Sequence, residues 1–528
     1  MIESRGKIME TEEIKKKQKR VMIYVMIISL ICVVGVSYAF FTAGVSSETS
    51  TTVRADAGTM KITYSGGANI DLAGIYPKDH VWATKTITVT GNNTTDADMY
   101  YKLTLVVDSN TFKTGDPLQY ELVSTNTSTN GEIIPNISKT DITGTSIELG
   151  KGHFAKANNA KHTYLLKIYY PKKATSQNAN QGAAFSAHVE ITSAKAPKTN
   201  GKLSELVLYN NEVKAPITEP GVAVSTADEA LLASAEDDNG TSYYFRGAVK
   251  NNYVEFASKC WRIVRVGGDG SVKLILHNDN TAGAANPCNS ANNSASAAFA
   301  RYSGTTYTSK FNEKYDDNAY VGFKYGTPGS STYEATHANT NNSTILTNLE
   351  TWYNNNLKTY EKVIDDTVWC NDKTNVTDTT YNPFRWSNVN GYGYAKNATY
   401  YGATQRLVST SNSAGGTGPS LKCNGELSKI TSKVGLITAD EIAFAGSIFG
   451  DTYNLSTYLQ ENTGTNWWWS LSPREFNGNI AYVWRVSSGL LNVDLVNRFN
   501  GVRPVISLIS STNVTGEGTS ENPYIVEK

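Results

Sequence analysis

Residues 21–41 carry no charged side chain. The twenty residues before them hold seven basic and four acidic ones and end Lys15-Lys16-Lys17-Gln18-Lys19-Arg20. A basic flank before an apolar run enters a membrane with its basic end inside. Whatever follows the run therefore folds in an exported compartment. The run is long enough to span a bilayer as an anchor. Ser37-Tyr38-Ala39 also places small residues at the −3 and −1 positions of a signal-peptide cleavage site after Ala39. Both fates, cleaved signal and retained membrane anchor, put the remainder outside the cell.

Cysteine usage agrees with export. Cys32 lies in the apolar run, and Cys260, Cys288, Cys370 and Cys423 remain. An even number of cysteines in an exported chain predicts disulfides, here with three connectivities open. The sequence-local pairing, Cys260 with Cys288 and Cys370 with Cys423, is the expected one. A zinc site is disfavoured, because there is no CxxC pair and no histidine at ligand spacing.

The 528 residues leave room for several domains. Lys+Arg and Asp+Glu are both 48, which argues against a basic nucleic-acid footprint. Hydrophobic residues at 40% and aromatics at 10% argue against disorder. The expected organisation is multidomain. A basic segment at 1–20 and the signal or transmembrane helix at 21–41 come first. An all-β sandwich follows at 55–195, then a linker at 196–239 and an α+β domain at 240–528.

The sandwich is read from period-two runs such as Thr86-Ile87-Thr88-Val89 and Phe185-Ser186-Ala187-His188-Val189-Glu190-Ile191, separated by turn residues. Pro197, Pro216 and Pro220 punctuate the linker, with a short helix expected at 226–235, its first turn favoured by Asp228 and Glu229. In the last domain, one helix is expected from Ser343 to about Ile364. Thr438-Ala439-Asp440-Glu441 reads as a capping box opening a second helix that ends at Gly446. Residues 374–418 are polar and rich in Gly, Asn and Tyr, as in a long loop or insertion.

Three segments carry a family resemblance. Gly35-Val36-Ser37-Tyr38-Ala39-Phe40-Phe41-Thr42 resembles the export signals of TasA and camelysin-like proteins of Gram-positive bacteria. The β domain resembles the same proteins through Ile75-Tyr76-Pro77-Lys78-Asp79, Tyr100-Tyr101-Lys102-Leu103 and Gln181-Gly182. The last domain resembles Gram-positive surface proteins with a C-type-lectin-like ending. Its matching motifs are Glu236-Asp237-Asp238-Asn239-Gly240-Thr241-Ser242-Tyr243-Tyr244-Phe245-Arg246-Gly247, Cys260-Trp261-Arg262-Ile263-Val264-Arg265, Asp317-Asn318-Ala319-Tyr320-Val321-Gly322, Gly435-Leu436-Ile437-Thr438-Ala439-Asp440-Glu441, Trp469-Ser470-Leu471-Ser472-Pro473 and Gly501-Val502-Arg503-Pro504-Val505. It is also similar to the variable proteins of diversity-generating retroelements. The resemblance implies a fixed lectin-like framework displaying rewritten side chains as a binding face.

The residues from 474 to 500 suit such a face. Between small, apolar and turn residues stand Arg474, Glu475, Asn479, Ile480, Tyr482, Trp484, Arg485, Ser487, Val493, Asp494, Leu495, Arg498 and Phe499. Mixtures of Trp, Tyr and Arg supply most of the energy in recognition surfaces. Trp467-Trp468-Trp469 offers a sugar-stacking platform, although strand alternation sends one or two of its rings into the core. Arg503, beside Pro504, reads as a structural ion-pair partner.

No reaction is expected. The six histidines (His80, His153, His162, His188, His277 and His337) make no HExxH and read as surface residues. There is no GxSxG and no phosphate-binding GxxxxGK[ST]. The expected protein is a non-enzymatic binding protein without cofactor or metal, held at the surface of a Gram-positive-type bacterium. Its partner would be a protein or glycan on another cell, phage or host surface. Membrane contact would run through 21–41, self-assembly through the β-sandwich, and nucleic acid is not a partner. A fixed-specificity carbohydrate-binding adhesin and a fibre-forming structural protein are the alternatives.

Overall fold

A computed structural model of the chain describes residues 53–56, 59–94, 98–126, 130–223, 229–450 and 457–527. The expected basic segment and apolar run lie outside these residues. Among the described residues, no helix is long and apolar enough to cross a membrane. The molecule is mostly β, in two compact units that meet between Ala196 and Pro197.

The first unit holds ten strands: β1 (Val53–Asp56), β2 (Thr59–Ser65), β3 (Ile70–Ala73), β4 (Ala83–Asn93), β5 (Met99–Asn110), β6 (Gln119–Ser124), β7 (Ile137–Asp141), β8 (Ser146–Phe154), β9 (Ala157–Tyr169) and β10 (Ala184–Ser193). They form two antiparallel sheets, ordered β1-β2-β4-β9-β6-β7 and β3-β10-β5-β8. Burial alternates along β10, so Phe185, Ala187, Val189 and Ile191 face inward while their neighbours meet solvent. These side chains share one core with Ile87, Val89, Leu105 and Leu166 from the other strands. Its buried polar centre is closed by hydrogen bonding. The Tyr101 hydroxyl lies 2.6 Å from Nδ1 of His162 and 2.5 Å from the Tyr164 hydroxyl. Nε2 of His162 reaches the carbonyl of Asn130 at 2.8 Å. His162 is therefore a core residue, contrary to its reading as a surface one, and burial lowers its pKa.

The second unit begins inside the expected linker. Residues 196–239 supply β11 (Asn200–Lys202), α1 (Leu203–Asn210) and β12 (Ala230–Asp237), and Leu203, Leu206 and Val207 enter its main core. The helix expected at 226–235 is replaced from residue 230 onward by β12, with residues 224–228 outside the described set. A hairpin settles the competition: β12 pairs antiparallel with β13 (Gly240–Gly247) from Ala230↔Gly247 to Asp237↔Gly240. Next come β14 (Tyr253–Phe256), β15 (Lys259–Val266), β16 (Val272–Asn278), α2 (Thr344–Asn356) and α3 (Ala439–Phe444). The chain ends with β17 (Trp468–Phe476), β18 (Ala481–Ser487), β19 (Leu490–Leu495), β20 (Val505–Leu508), β21 (Asn513–Thr515) and β22 (Tyr524–Val526).

The larger sheet runs β11-β21-β22-β14-β15-β13-β12, with β16 bridging β15 and β20. Every residue of β16 is buried, which is why its sequence shows no alternation. The helix α2 is shorter than expected. Ser343 caps it, its Oγ accepting from the Leu346 N–H at 3.3 Å, and Ile345, Leu349 and Trp352 anchor one face. Asn354-Asn355-Asn356, weak helix formers, close it eight residues before Ile364. The capping box at Thr438 and Glu441 forms as expected, and α3 ends just before Gly446. The two expected disulfides are present, Cys260–Cys288 and Cys370–Cys423. They are consistent with an extracellular or oxidising location.

Candidate functional site

The candidate residues fall on the meander β17-β18-β19 and its two connections. Pro473 stands inside β17, where it removes a ladder donor; the register with β18 shifts on either side of it. Both faces of β17 are covered, so Trp468 and Trp469 are both buried rather than alternating. Trp467, just before the strand, is 48% exposed.

The structure divides the predicted set into two environments. Arg474, Glu475 and Trp484, expected on a surface, are buried. The Arg474 guanidinium stands 4.1 Å from the Phe384 ring and 5.2 Å from that of Trp484. It pairs with the Glu475 carboxylate beside it. Trp484 meets Phe449 edge to face at 5.7 Å. The cover comes from Phe384, in the polar stretch 374–418, and from Phe449. Burial pushes the Glu475 carboxyl up to about 7, against the opposing pull of Arg474, and lowers Arg474. These three residues form a partly charged core.

Ile480, Tyr482, Ser487, Val493, Asp494 and Leu495 are half-buried, and Asn479, Arg498 and Phe499 are exposed. Tyr482 sits across from Glu475 on one side and Leu495 on the other. Arg485 is buried by its neighbours: its guanidinium lies 3.7 Å from the Trp467 ring, its Nε donates to the Val493 carbonyl at 3.1 Å, and Asp494 is 3.5 Å away. Burial lowers its pKa. The Gly501 N–H donates to the Trp467 carbonyl at 2.7 Å, bringing the 498–501 segment beside Trp467. There Phe499 is 66% exposed, with the Lys310 ammonium 5.5 Å from its ring. Trp467, outside the predicted set, thus belongs with Arg485, Arg498 and Phe499. Its signal was the aromatic triplet at a strand start.

Arg503 is structural, and it forms no ion pair among the described residues. It is fully buried and donates to the carbonyls of Leu276 at 2.8 Å and Leu459 at 2.5 Å, with Trp468 at 5.1 Å. Burial lowers its pKa to about 9. His277 and His337 are buried too, and burial pushes His337 down to about 3.

A concavity of about 210 Å³ is lined by residues that include Asp237, Arg265, Lys273, Arg406, Asp440 and Glu441. These six pair with one another and with Asp372, while Asp238, Asp269, Asp365 and Asp366 also line the concavity. Arg265 pairs with Asp237 at 2.8 Å and Glu441 at 3.0 Å, Lys273 with Glu441 at 2.6 Å, and Arg406 with Asp440 at 2.6 Å and Asp372 at 2.8 Å. Comparison with known families and with curated proteins returns no match to this chain.

Proposed function

We propose that the chain is an exported cell-surface binding protein whose second unit, read as C-type-lectin-like, presents a ligand-binding face around Trp467, Arg485, Arg498 and Phe499. The observation that carries this reading is the exposure of Trp467 and Phe499 together, with a guanidinium ordered on the indole. Large exposed aromatics cost solvation unless a partner covers them. Trp and Arg are the residue types that dominate binding energy where a partner does.

Two expected outcomes test the reading. On an array of cell-surface proteins, the exported chain binds a restricted set of spots. Replacing Trp467 and Phe499 together by alanine weakens that binding at least about tenfold, as loss of one hot-spot contact implies. Full signal from the folded double variant sinks the assignment. Retroelement diversification, the finer part of the reading, predicts that deep sequencing of codons 467–508 across one culture finds substitutions at exposed positions such as Arg498 and Phe499 and none at Gly478 or Gly501. Uniform codons favour a fixed-specificity adhesin.

A further inference from the structure

At the far end of the β17-β18 hairpin from Trp467 lies a cleft of about 490 Å³, between the turn at 477–479 and the loop at 386–398. That volume is within the range of about 300–1,000 Å³ typical of small-ligand pockets. Its lining differs from that of the charged concavity described above. Trp386 supplies an aromatic wall; Asn388, Asn390, Asn477 and Asn479 supply amides; Lys396 is the one charged residue, and no carboxylate lines the cleft.

The walls are ordered before any ligand arrives. Trp386 is half-buried and stacks on Tyr400 at 4.3 Å and 20°. Asn382 brackets it, donating to the Trp386 carbonyl at 2.8 Å and accepting its N–H at 2.9 Å. The Tyr400 hydroxyl donates to the same Asn382 at 3.0 Å. Across the loop, Asn390 donates to Asn397 at 3.0 Å. Lys396 is held by Asp316 at 3.3 Å, which neutralises its charge. On the other wall, Asn477 accepts from the N–H groups of Asn479 at 3.0 Å and Ile480 at 2.9 Å. The side chains of Asn388 and Asn479 are exposed and have no hydrogen-bond partner among the described residues.

We infer that this cleft is a calcium-independent subsite for a neutral oligosaccharide. A pyranose has an apolar C–H face that packs on an indole and a hydroxyl rim that both donates and accepts. Side-chain amides match that rim, because each carries two donors and a two-lone-pair acceptor. A cationic ligand finds no carboxylate here. A strongly anionic ligand finds a single lysine already paired. A lipid or apolar peptide finds too little apolar wall. Calcium sites are commonly built around carboxylates, and none lines the cleft. The subsite is separate from the face around Trp467 and does not depend on it.

The test uses the full exported chain on an array of neutral and anionic oligosaccharides, with and without EDTA. The expected result is binding to neutral members that EDTA leaves unchanged. Trp386→Ala and Asn479→Ala each lower the affinity at least tenfold, and Trp386→Phe retains most of it. Trp467→Ala/Phe499→Ala leaves it intact while weakening protein binding. Because Trp386→Ala also removes the stack on Tyr400, the exposed Asn388→Ala and Asn479→Ala variants decide if it fails to fold. Any of three results overturns the inference: no neutral glycan bound, binding abolished by EDTA, or glycan binding that survives Asn388→Ala/Asn479→Ala but is lost with Trp467→Ala/Phe499→Ala. A wild-type chain that binds neutral glycans but no surface protein counts against the Trp467 face alone.

Discussion

Arg246→Met is expected to destabilise the second unit by about 3–5 kcal/mol, the cost of breaking a buried ion pair from one side. Arg246 and Glu229 are both fully excluded from solvent and meet at 2.9 Å. The guanidinium also donates to the carbonyls of Ala443 at 3.1 Å and Phe444 at 3.2 Å, and to the Thr218 hydroxyl at 2.6 Å. It thereby ties β12 and β13 to the C-terminal end of α3. Methionine fills the volume but strands the carboxylate and those carbonyls. In Arg246→Met/Glu229→Gln the stranded charge is gone, so the double variant should recover part of the loss, a coupling of about 1–3 kcal/mol. Urea unfolding followed by tryptophan fluorescence reads this unit selectively, since eight of the nine tryptophans follow residue 260. A single-variant loss below about 1 kcal/mol would show that the pair is not the clamp described here.

The same clamp explains a misreading of the sequence. Asp228 and Glu229 suggested the acidic first turn of a helix. Glu229 instead serves a residue seventeen positions away, and the strand after it is set by a hairpin partner. Local propensity carried no trace of either contact. In the first unit the strands were legible, because each sheet has a wet face and the alternation survives. In the second, β16 and β17 are covered on both sides, and periodicity vanishes with the wet face. The candidate site shows the limit most clearly. Arg474, Glu475 and Trp484 look like surface chemistry in the sequence. Phe384 and Phe449, which bury them, come from segments with no periodic signal and from far along the chain. The disulfide pairing and the capping box were readable, since each depends on local spacing or on a few named residue types.

Glu441→Gln is expected to cost about 3–5 kcal/mol at neutral pH and to flatten the acid limb of stability. Glu441 is the third residue of α3, and its Oε2 accepts the Thr438 N–H at 3.0 Å. Its Oε1 accepts from Arg265 at 3.0 Å and from Lys273 at 2.6 Å. Burial raises the pKa of this carboxyl, but Lys273 and Arg265 outweigh burial and hold it at about 2. A carboxyl whose pKa is lower in the folded state stabilises it fully above the unfolded value, near 4.3, and loses that stabilisation as pH falls toward 2. Over that window the wild type should lose about 3 kcal/mol that the glutamine variant never had. Glutamine keeps the cap's acceptor but leaves the Lys273 ammonium buried without its counter-charge, so Glu441→Gln/Lys273→Met should recover part of the loss. Urea midpoints at pH 7 and pH 2 make the measurement, and parallel pH slopes for the two proteins would exclude the mechanism. The network also touches the strand that carries the proposed binding face: the Ala439 N–H donates to the Ser472 hydroxyl of β17 at 2.9 Å. A variant that loosens this network should therefore weaken partner binding even though Glu441 itself is far along the chain from Trp467.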